Sequence, residues 1–202
     1  KLEIKFKDDK EAVNILELVR INPQIKGVIV ASSDKAYGKL SVDKSNQKRD
    51  KYIETDPLSG DHPYDTSKSA TDLISTTYYK NYGIPVIVTR FGNIYGEGDL
   101  NFSRIIPGIM KSLIENKTLM IRSNGKYVRD YLYVKDVARG YILLAENMEK
   151  VKGEAFNFGS KETLSVLDII KQVGKILNKK INYKILNTAK NEIPYQSLDY
   201  LK

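Results

Sequence analysis

At residues 28–35 the chain reads Val28-Ile29-Val30-Ala31-Ser32-Ser33-Asp34-Lys35, a short apolar run that ends in a polar cluster. An apolar run without alternation is typical of a strand that is buried on both faces, as in a parallel sheet. In open α/β sheets, ligands bind beyond the carboxyl ends of the strands. The sequence therefore predicts a ligand site where this strand ends.

Helix-like and strand-like patterns alternate on either side of this segment. Before it, Glu11–Arg20 carries apolar residues at the spacing of an amphipathic helix. After it, Tyr64–Tyr82 predicts a helix that ends at Gly83, and Val86–Thr89 predicts the next strand. Such alternation is typical of the α/β class with a mostly parallel sheet.

The remaining elements are predicted by the same criteria. Lys39–Pro57 and Gly92–Leu100 are predicted to be loops, because the first is polar and aperiodic and the second carries three glycines. Asp136 is a candidate N-cap for a helix at Val137–Glu146, and no element is evident after Ile185. The other predicted helices and strands are Ser103–Asn116, Leu119–Ile121, Tyr127–Val134, Phe156–Phe158, Ser165–Leu177 and Ile181–Ile185.

Composition narrows the possible classes of protein. The 202 residues include no cysteine and a single histidine, His62, which excludes disulfides and argues against a Ser-His-Asp triad or a metal site. No apolar run reaches the roughly 18 residues of a membrane span. With the charged Lys1–Lys10 in place of a signal peptide, a cytoplasmic location is expected. The net charge of +8 comes from mostly scattered lysines, which favours an anionic small molecule over nucleic acid.

The start of the second predicted helix reads Tyr64-Asp65-Thr66-Ser67-Lys68. Positions i and i+4 share a helix face, so Tyr64 and Lys68 point the same way. A nearby ammonium lowers the pKa of tyrosine from about 10, which would let Tyr64 take a proton from a substrate hydroxyl. Alone, the pattern is more typical of a solvated helix face. The hydroxyls of Ser32-Ser33 after the upstream strand could complete a Ser/Tyr/Lys set, which makes the functional interpretation the stronger one.

Several short segments follow one another along most of the chain. They are Val30–Gly38, Pro63–Lys68, Arg90–Gly96, Val128–Ala138 and Phe156–Gly159. As an ordered set they resemble the extended short-chain dehydrogenase/reductases that act on nucleotide sugars, the NAD-dependent epimerase/dehydratase family.

This resemblance implies a Rossmann-type parallel sheet, here partial with its first strands missing, and a smaller mixed α/β substrate-binding lobe. Residues 1–93 would form the C-terminal part of the NAD-binding Rossmann domain. Residues 94–202 would form mainly the substrate-binding lobe, with Rossmann elements interleaved. The Gly-x-Gly-x-x-Gly fingerprint of the family is absent from the sequence. The chain is therefore expected to begin after it, as a fragment or a truncated product that exposes a sheet edge and binds NAD poorly alone.

The resemblance also implies a reaction that begins with oxidation of a sugar. Ser33, Tyr64 and Lys68 would deprotonate the 4-hydroxyl of a nucleotide hexose while NAD⁺ accepts the C4 hydride. The 4,6-dehydratases carry an acid after the serine of this triad. Asp34 stands in that place and would protonate the departing 6-hydroxyl, after which the hydride returns to C6.

Lys35 departs from the pattern of the better-known relatives, which have glutamate there as the base for the C5 proton. Lysine can be this base only if burial or a cationic neighbour lowers its pKa. The alternative is that Lys35 positions a group or holds an anion. Gly96–Leu100 and Arg104–Pro107 look most like the CDP-glucose 4,6-dehydratases.

Binding roles are likewise implied by the resemblance. The substrate and its diphosphate would be held by Asn93, Arg104 and Arg129, of which Arg129 offers a planar fork suited to phosphate oxygens. The alternatives are a turn residue for Asn93 and a surface arginine for Arg129. No metal is implied. The residues expected to contact NAD are Ala31, Ser32, Ser33, Tyr64, Lys68 and Phe91.

Other functions remain open at this point. A nucleotide-sugar 4-epimerase or decarboxylase would use the same scaffold, although an epimerase needs no acid at Asp34. A non-catalytic nucleotide-sugar-binding relative would explain the missing fingerprint, and a nucleic-acid-binding protein is a distant third. The partners expected are a nucleotide-diphospho-sugar and a second copy of the chain, in a homodimer formed through the helices at Glu11–Arg20 and Tyr64–Tyr82, with no nucleic acid and no membrane.

Overall fold

The computed structural model describes residues 9–39, 51–189 and 192–202. The helices in these ranges are α1 (Asp9–Ile21), α2 (Pro63–Tyr82), α3 (Ile105–Ile114), α4 (Val134–Glu146), α5 (Met148–Val151) and α6 (Val166–Leu177), with a 3-10 helix at Asp34–Tyr37. The strands are β1 (Val28–Ala31), β2 (Val86–Phe91), β3 (Asn93–Tyr95), β4 (Leu119–Ile121), β5 (Val128–Tyr133), β6 (Ala155–Phe158), β7 (Thr163–Ser165) and β8 (Tyr183–Ile185). None of these helices is long and apolar enough to cross a membrane.

β1, β2 and β6 form a parallel sheet with β2 in the centre. Every residue of β2 is buried. Successive side chains of a strand point to opposite faces, so Val86 packs with Leu16 of α1 whereas Ile87 packs with Leu144 of α4. Helices therefore cover both faces of the sheet. This arrangement confirms the predicted α/β class and the Rossmann-type parallel sheet.

β1 lies at the edge of this sheet, and β2 is its strand neighbour among the described residues. A narrow groove runs along β1 between α1 and α2. It is lined by Ala12, Ile15, Leu16, Val28, Ile29, Val30, Ala31, Ser67, Lys68, Thr71 and Ser75. Among the residues that the structure describes, β1 is therefore an edge strand of this sheet.

A second, mixed α/β unit is built from the other strands. β5 pairs in parallel with β3 and antiparallel with β7, and β4 pairs in parallel with β8. α6 begins with a capping box, in which the Ser165 and Asp168 side chains each accept a hydrogen bond from the backbone amide of the other. The core of this unit contains Ile109, Leu119, Ile121, Ile169, Ile170 and Ile181.

Two local predictions are wrong. The predicted loop Gly92–Leu100 contains β3, which pairs with the end of β5. Asp136 does not cap a helix, because β5 passes directly into α4 at Val134 without an intervening turn. Asp136 instead lies in the first turn of α4 and pairs with Arg139 at 3.1 Å.

Among the described residues no helix or strand follows Ile185, as the sequence predicts, although isolated bridges do. Residues around Leu198 are packed into the molecule, and Leu198 is fully buried beside Tyr37 and Tyr52. Tyr52 belongs to the predicted loop Lys39–Pro57, of which residues 40–50 lie outside the described residues. It forms a parallel bridge with Leu198, so a segment that looks polar contributes a buried aromatic ring.

A buried ion pair joins β2 to α2. Arg90 Nε and Nη2 donate to the two carboxylate oxygens of Asp72 at 2.8 and 2.9 Å, and the two side chains are only 5% and 1% exposed. Arg90 Nη1 also donates to Tyr37 OH at 2.7 Å and to Glu54 O at 2.9 Å. Removing one member of such a pair leaves a buried charge without compensation.

Asp72→Asn is therefore expected to lower the free energy of unfolding by about 3–5 kcal/mol, because the Arg90 guanidinium keeps its charge and loses its anion. Urea unfolding followed by circular dichroism measures this change. Arg139→Gln is the matched control, because it breaks an ion pair in which 79% and 62% of the two side chains are exposed, and it should change stability little. Equal effects of the two substitutions would contradict the prediction.

Candidate active site

The polar cluster after β1 lies at the carboxyl end of the parallel sheet. Ser32 N donates to Thr89 O at 2.7 Å, which extends the pairing of β1 with β2 by one residue. The chain then turns into the 3-10 helix, where Ser33 is the N-cap and its hydroxyl accepts a hydrogen bond from Lys35 N at 3.2 Å. Ser32, Ser33 and Asp34 are all buried at this turn.

The first turns of α2 bring Tyr64 and Lys68 to the same place. Pro63 begins the helix, where its missing amide hydrogen costs no hydrogen bond. Lys68 Nζ donates to Ala31 O at 2.9 Å and lies 6.0 Å from the centre of the Tyr64 ring. The Tyr64 hydroxyl has a side-chain hydrogen bond with Ser33. The three residues of the predicted Ser/Tyr/Lys set are thus neighbours.

The pKa of Tyr64 differs from the sequence-based expectation. Burial raises it above the ordinary value, and the hydrogen bond with Ser33 opposes this rise. The charges of Asp34 and Asp65 raise it further. Lys68, whose own pKa is lowered by burial, faces Ala31 O rather than the phenol oxygen. A lower pKa at Tyr64 therefore requires additional positive charge in the site.

Asp34 is a buried carboxyl group beside a lysine. It is 6% exposed, and Ser33 Oγ donates to Asp34 Oδ1 at 3.0 Å. Burial raises the pKa of Asp34 from its usual 3.8 to about 6, against the opposing effects of Lys35, the Ser33 hydrogen bond and Arg129. An appreciable fraction of Asp34 therefore stays protonated at weakly acidic to neutral pH.

Lys35 is shifted in the complementary direction. Burial lowers its pKa, the charge of Asp34 opposes this, and the charge of Arg129 lowers it further. Its ammonium group donates to Gln196 Oε1 at 2.6 Å. Lys35 consequently loses its proton more readily than a lysine at the surface.

A cavity of about 560 Å³ opens at this end of the sheet, a size within the usual range for small-molecule sites. All predicted site residues line it except Lys68 and Arg129. The predicted residues in its wall are Ala31, Ser32, Ser33, Asp34, Lys35, Tyr64, Phe91, Asn93 and Arg104.

The two predicted phosphate-binding arginines differ in their surroundings. Arg104 is the N-cap of α3, lies in the cavity wall and pairs with Asp99 at 3.2 Å. Arg129 Nη1 donates to Val128 O at 2.7 Å, and its charge acts on both Asp34 and Lys35. Arg129 is therefore close enough to influence the site although it is not in the cavity wall.

Residues that the sequence interpretation missed complete the site. Tyr131 lines the cavity and lies on the same face of β5 as Arg129, since both alternate with the buried Asp130 and Leu132. The alternation of side chains along β5 is the sequence signal that would have identified Tyr131. Gln196 has no such signal, because the residues around it show no periodic pattern.

The residues around Lys68 fit a dinucleotide. An ammonium has three donors, and within the described part of the chain Ala31 O is the acceptor that Lys68 Nζ reaches. Its other donors suit ribose hydroxyls, and Phe91 supplies an apolar surface in the wall of the cavity at the same end of the sheet. No group of His, Asp or Glu residues within the described ranges could hold a metal ion.

Comparison with known proteins points to one family. A family model described as the NAD dependent epimerase/dehydratase family matches residues 10–159. A dTDP-D-glucose 4,6-dehydratase from Dictyostelium discoideum is 32% identical over 75% of this chain and 35% of its own length. A trifunctional UDP-glucose 4,6-dehydratase/UDP-4-keto-6-deoxy-D-glucose 3,5-epimerase/UDP-4-keto-L-rhamnose-reductase from Arabidopsis thaliana is 30% identical over 82% of this chain and 24% of its own length.

Solved structures show the same fold. The dTDP-glucose 4,6-dehydratase from Bacillus anthracis in complex with NAD superposes with a TM-score of 0.80 and 29% identity, over 94% of this chain and 57% of that one. The UDP-glucuronic acid 4-epimerase from Bacillus cereus in complex with UDP-glucuronic acid and NAD superposes with a TM-score of 0.78 and 27% identity, over the same shares. The chain thus spans little more than half of these proteins.

Asp34→Asn is expected to stabilise the protein at pH 8 and to do so less at pH 4. The folded state holds the Asp34 proton up to about pH 6 whereas the unfolded state releases it near pH 3.8, so the wild type loses stability as pH rises through this window. Asparagine has no charge to bury and escapes that loss. Thermal unfolding across this pH range measures the difference between the two proteins.

Asp136→Asn is the control for this comparison, because its carboxylate is 62% exposed. Its thermal stability relative to the wild type should not increase between pH 4 and pH 6. A gain from Asp34→Asn that is the same at both ends of the range would mean that burial of the Asp34 charge is not what destabilises the protein.

Proposed function

Because the chain belongs to the NAD-dependent epimerase/dehydratase family, we propose that it provides the catalytic centre of a nucleotide-sugar 4,6-dehydratase. NAD is the cofactor of this family. The observation that carries the proposal is the buried Asp34, which shares the cavity wall with Tyr64 and Ser33. A dehydration needs an acid in that position to protonate the departing hydroxyl, whereas an epimerisation does not.

Oxidation at C4 of the sugar is the first step. When bound, NAD⁺ serves as the reversible hydride acceptor for this chemistry, held by Ala31, Ser32, Lys68 and Phe91. Tyr64 takes the proton of the 4-hydroxyl, and Ser33 keeps the phenol oxygen oriented through their hydrogen bond. The 4-ketone that results makes the C5 proton acidic.

Elimination of water follows across C5 and C6. Lys35 removes the C5 proton, the C6–O bond breaks, and the Asp34 proton completes the departing water. The C4 hydride would then be returned to C6 and the Lys35 proton to C5, which gives the 4-keto-6-deoxy sugar and restores NAD⁺. The direction of each pKa supports these roles, since Asp34 is protonated to about pH 6 and burial lowers the pKa of Lys35. The alternative for Lys35 is to hold the substrate rather than to act as the base.

The substrate is proposed to be a nucleoside-diphosphate hexose such as CDP-glucose. Asn93 and Arg104 in the cavity wall would contact the sugar and its diphosphate, with Arg129 contributing charge from β5. The names of the relatives include dTDP and UDP sugars, so the nucleotide is a matter for experiment. A 4-epimerase is the second candidate, because one neighbour of the same fold is named as one.

The division into residues 1–93 and residues 94–202 and the homodimer stay predictions of the resemblance, and the cytoplasmic location stays a prediction from the sequence. The proposed interleaving is supported by β6, which comes after β3, β4 and β5 in the chain but pairs with β2.

Incubation of the full-length protein with NAD⁺ and a panel of nucleotide hexoses tests the reaction, with mass spectrometry to detect loss of one water molecule. Tyr64→Phe should reduce turnover about 10²–10⁴-fold, because it removes the acid–base group for the 4-hydroxyl. Asp34→Asn should reduce water loss to a similar degree but permit oxidation at C4, so NADH absorbance should accumulate. Tyr183→Phe, on the exposed β8, is the matched control and should leave turnover unchanged.

The outcomes separate the candidate functions. Isomerisation of a hexose without loss of water would establish the epimerase instead. Equal activity of wild type and Asp34→Asn in water loss would remove Asp34 from the mechanism. No turnover of any hexose, with retained binding, would favour a non-catalytic role.

A further inference from the structure

The last part of the described chain passes beside the catalytic turn. Its backbone is fixed on one side by β5, where Val128 N donates to Pro194 O at 3.0 Å and Gln196 N donates to Val128 O at 3.2 Å. On the other side Tyr52 N donates to Ser197 O at 3.0 Å. Residues 194–198 are therefore held between two parts of the fold that are distant in sequence.

The carboxylate of Asp130 in β5 also binds this segment. Ser197 Oγ donates to Asp130 Oδ1 at 3.1 Å, and Leu198 N donates to Asp130 Oδ2 at 2.7 Å. Asp130 and Ser197 are each 1% exposed, and Leu198 is fully buried. The backbone hydrogen bonds of this segment with Val128, Tyr52 and Asp130 hold Gln196, the residue before Ser197, in place.

The Gln196 side chain reaches the catalytic turn with both ends of its amide. Gln196 Nε2 donates to Asp34 O at 2.9 Å, and Lys35 Nζ donates to Gln196 Oε1 at 2.6 Å. Gln196 is fully buried. Since Nε2 must face the Asp34 carbonyl, Oε1 is directed at the lysine, and the amide has one orientation.

We propose that Gln196 is a positioning residue that holds the Lys35 amine at the substrate cavity through a neutral hydrogen-bond acceptor. This inference rests on the proposed function of Lys35 at C5 of the sugar. Lys35 lines the cavity, and a flexible four-carbon stem would otherwise let its amine sample many positions. Gln196 thus contributes orientation and does not itself contact the reacting atoms.

The Gln196 amide is uncharged, which matters because the charges around Lys35 act on its pKa in opposite directions. Three carboxylates act on Lys35, which are those of Asp34 in the same turn, Asp65 of α2 and Glu192. The positive group that acts on it is Arg129 of β5. Burial prevails over the carboxylates and lowers the pKa of Lys35. A carboxylate in contact with the ammonium would reverse this direction, because an opposite charge within about 4–6 Å favours the charged form of a group.

Gln196→Glu is therefore expected to move the acidic limb of the pH–rate profile for water elimination upward by about 1–3 pH units, while C4 oxidation keeps its profile. Gln196→Met removes both hydrogen bonds at similar volume. It should lower kcat for elimination up to about 10²-fold with little change in KM, because a small misplacement of a catalytic group has that effect. NADH absorbance and solvent deuterium uptake at C5 separate the two steps.

Ser197→Ala is the matched control, because Ser197 binds Asp130 and makes no contact with Lys35. It should lower the melting temperature without moving the pH–rate profile. If the profile of Ser197→Ala moves as far as that of Gln196→Glu, the segment acts only through general stability and the inference is wrong.

Lysine labelling at varied pH with acetic anhydride, read by peptide mass spectrometry, follows the titration of Lys35 without substrate or turnover. Gln196→Glu should shift the Lys35 titration to higher pH than in the wild type. An unchanged titration in a folded variant overturns the inference. If the wild type dehydrates no hexose, the proposed function fails, yet the labelling result still decides whether Gln196 controls Lys35.

Discussion

The guanidinium of Arg90 binds three separate parts of the chain, two of which carry residues of the candidate site. From β2 it donates to Asp72 of α2, to Tyr37 of the 3-10 helix and to the carbonyl of Glu54. α2 carries Tyr64 and Lys68, and the 3-10 helix begins with Asp34 and Lys35. One buried cation therefore fixes the separation between the group proposed to act at C4 and the groups proposed to act at C5 and C6.

Burial is the source of both the chemistry and the instability of the site. Asp34 is buried among Ser33, Lys35 and Gln196, and the same environment that raises its pKa makes its ionised form destabilise the fold. A surface carboxylate would avoid that cost but would hold no proton at the pH where it is needed. Helices cover both faces of the sheet, and every residue of its central strand β2 is buried. The stability that this core provides offsets the cost of the buried Asp34 charge.

The sequence predicted best where one local pattern sets the structure. The apolar run of β1, the helical spacing of α2 and the i, i+4 placement of Tyr64 and Lys68 are all local, and the structure has each of them. Tyr131 was missed although period-two alternation along β5 indicates its face. Gln196 could not be found at all, because its position depends on Asp130 and Tyr52, which are distant in sequence. Whether Lys68 lowers the Tyr64 pKa was also beyond local patterns, since Ala31 O competes for the ammonium.

Asp34 and Lys35 must be considered as a pair, because their ionisations are linked. An ion pair and a neutral pair of acid and amine carry the same net charge, so net charge does not select between them. Attraction favours the ion pair, whereas burial favours the neutral pair. In the neutral pair the proton is on Asp34 and the lone pair is on the Lys35 amine, which is the arrangement that the proposed roles require. The neutral amide of Gln196 keeps its hydrogen bond to Lys35 in either form, because an amine also donates to a carbonyl oxygen. A carboxylate in its place would select the ion pair, in which Lys35 has no lone pair for the C5 proton and Asp34 has no proton for the departing hydroxyl.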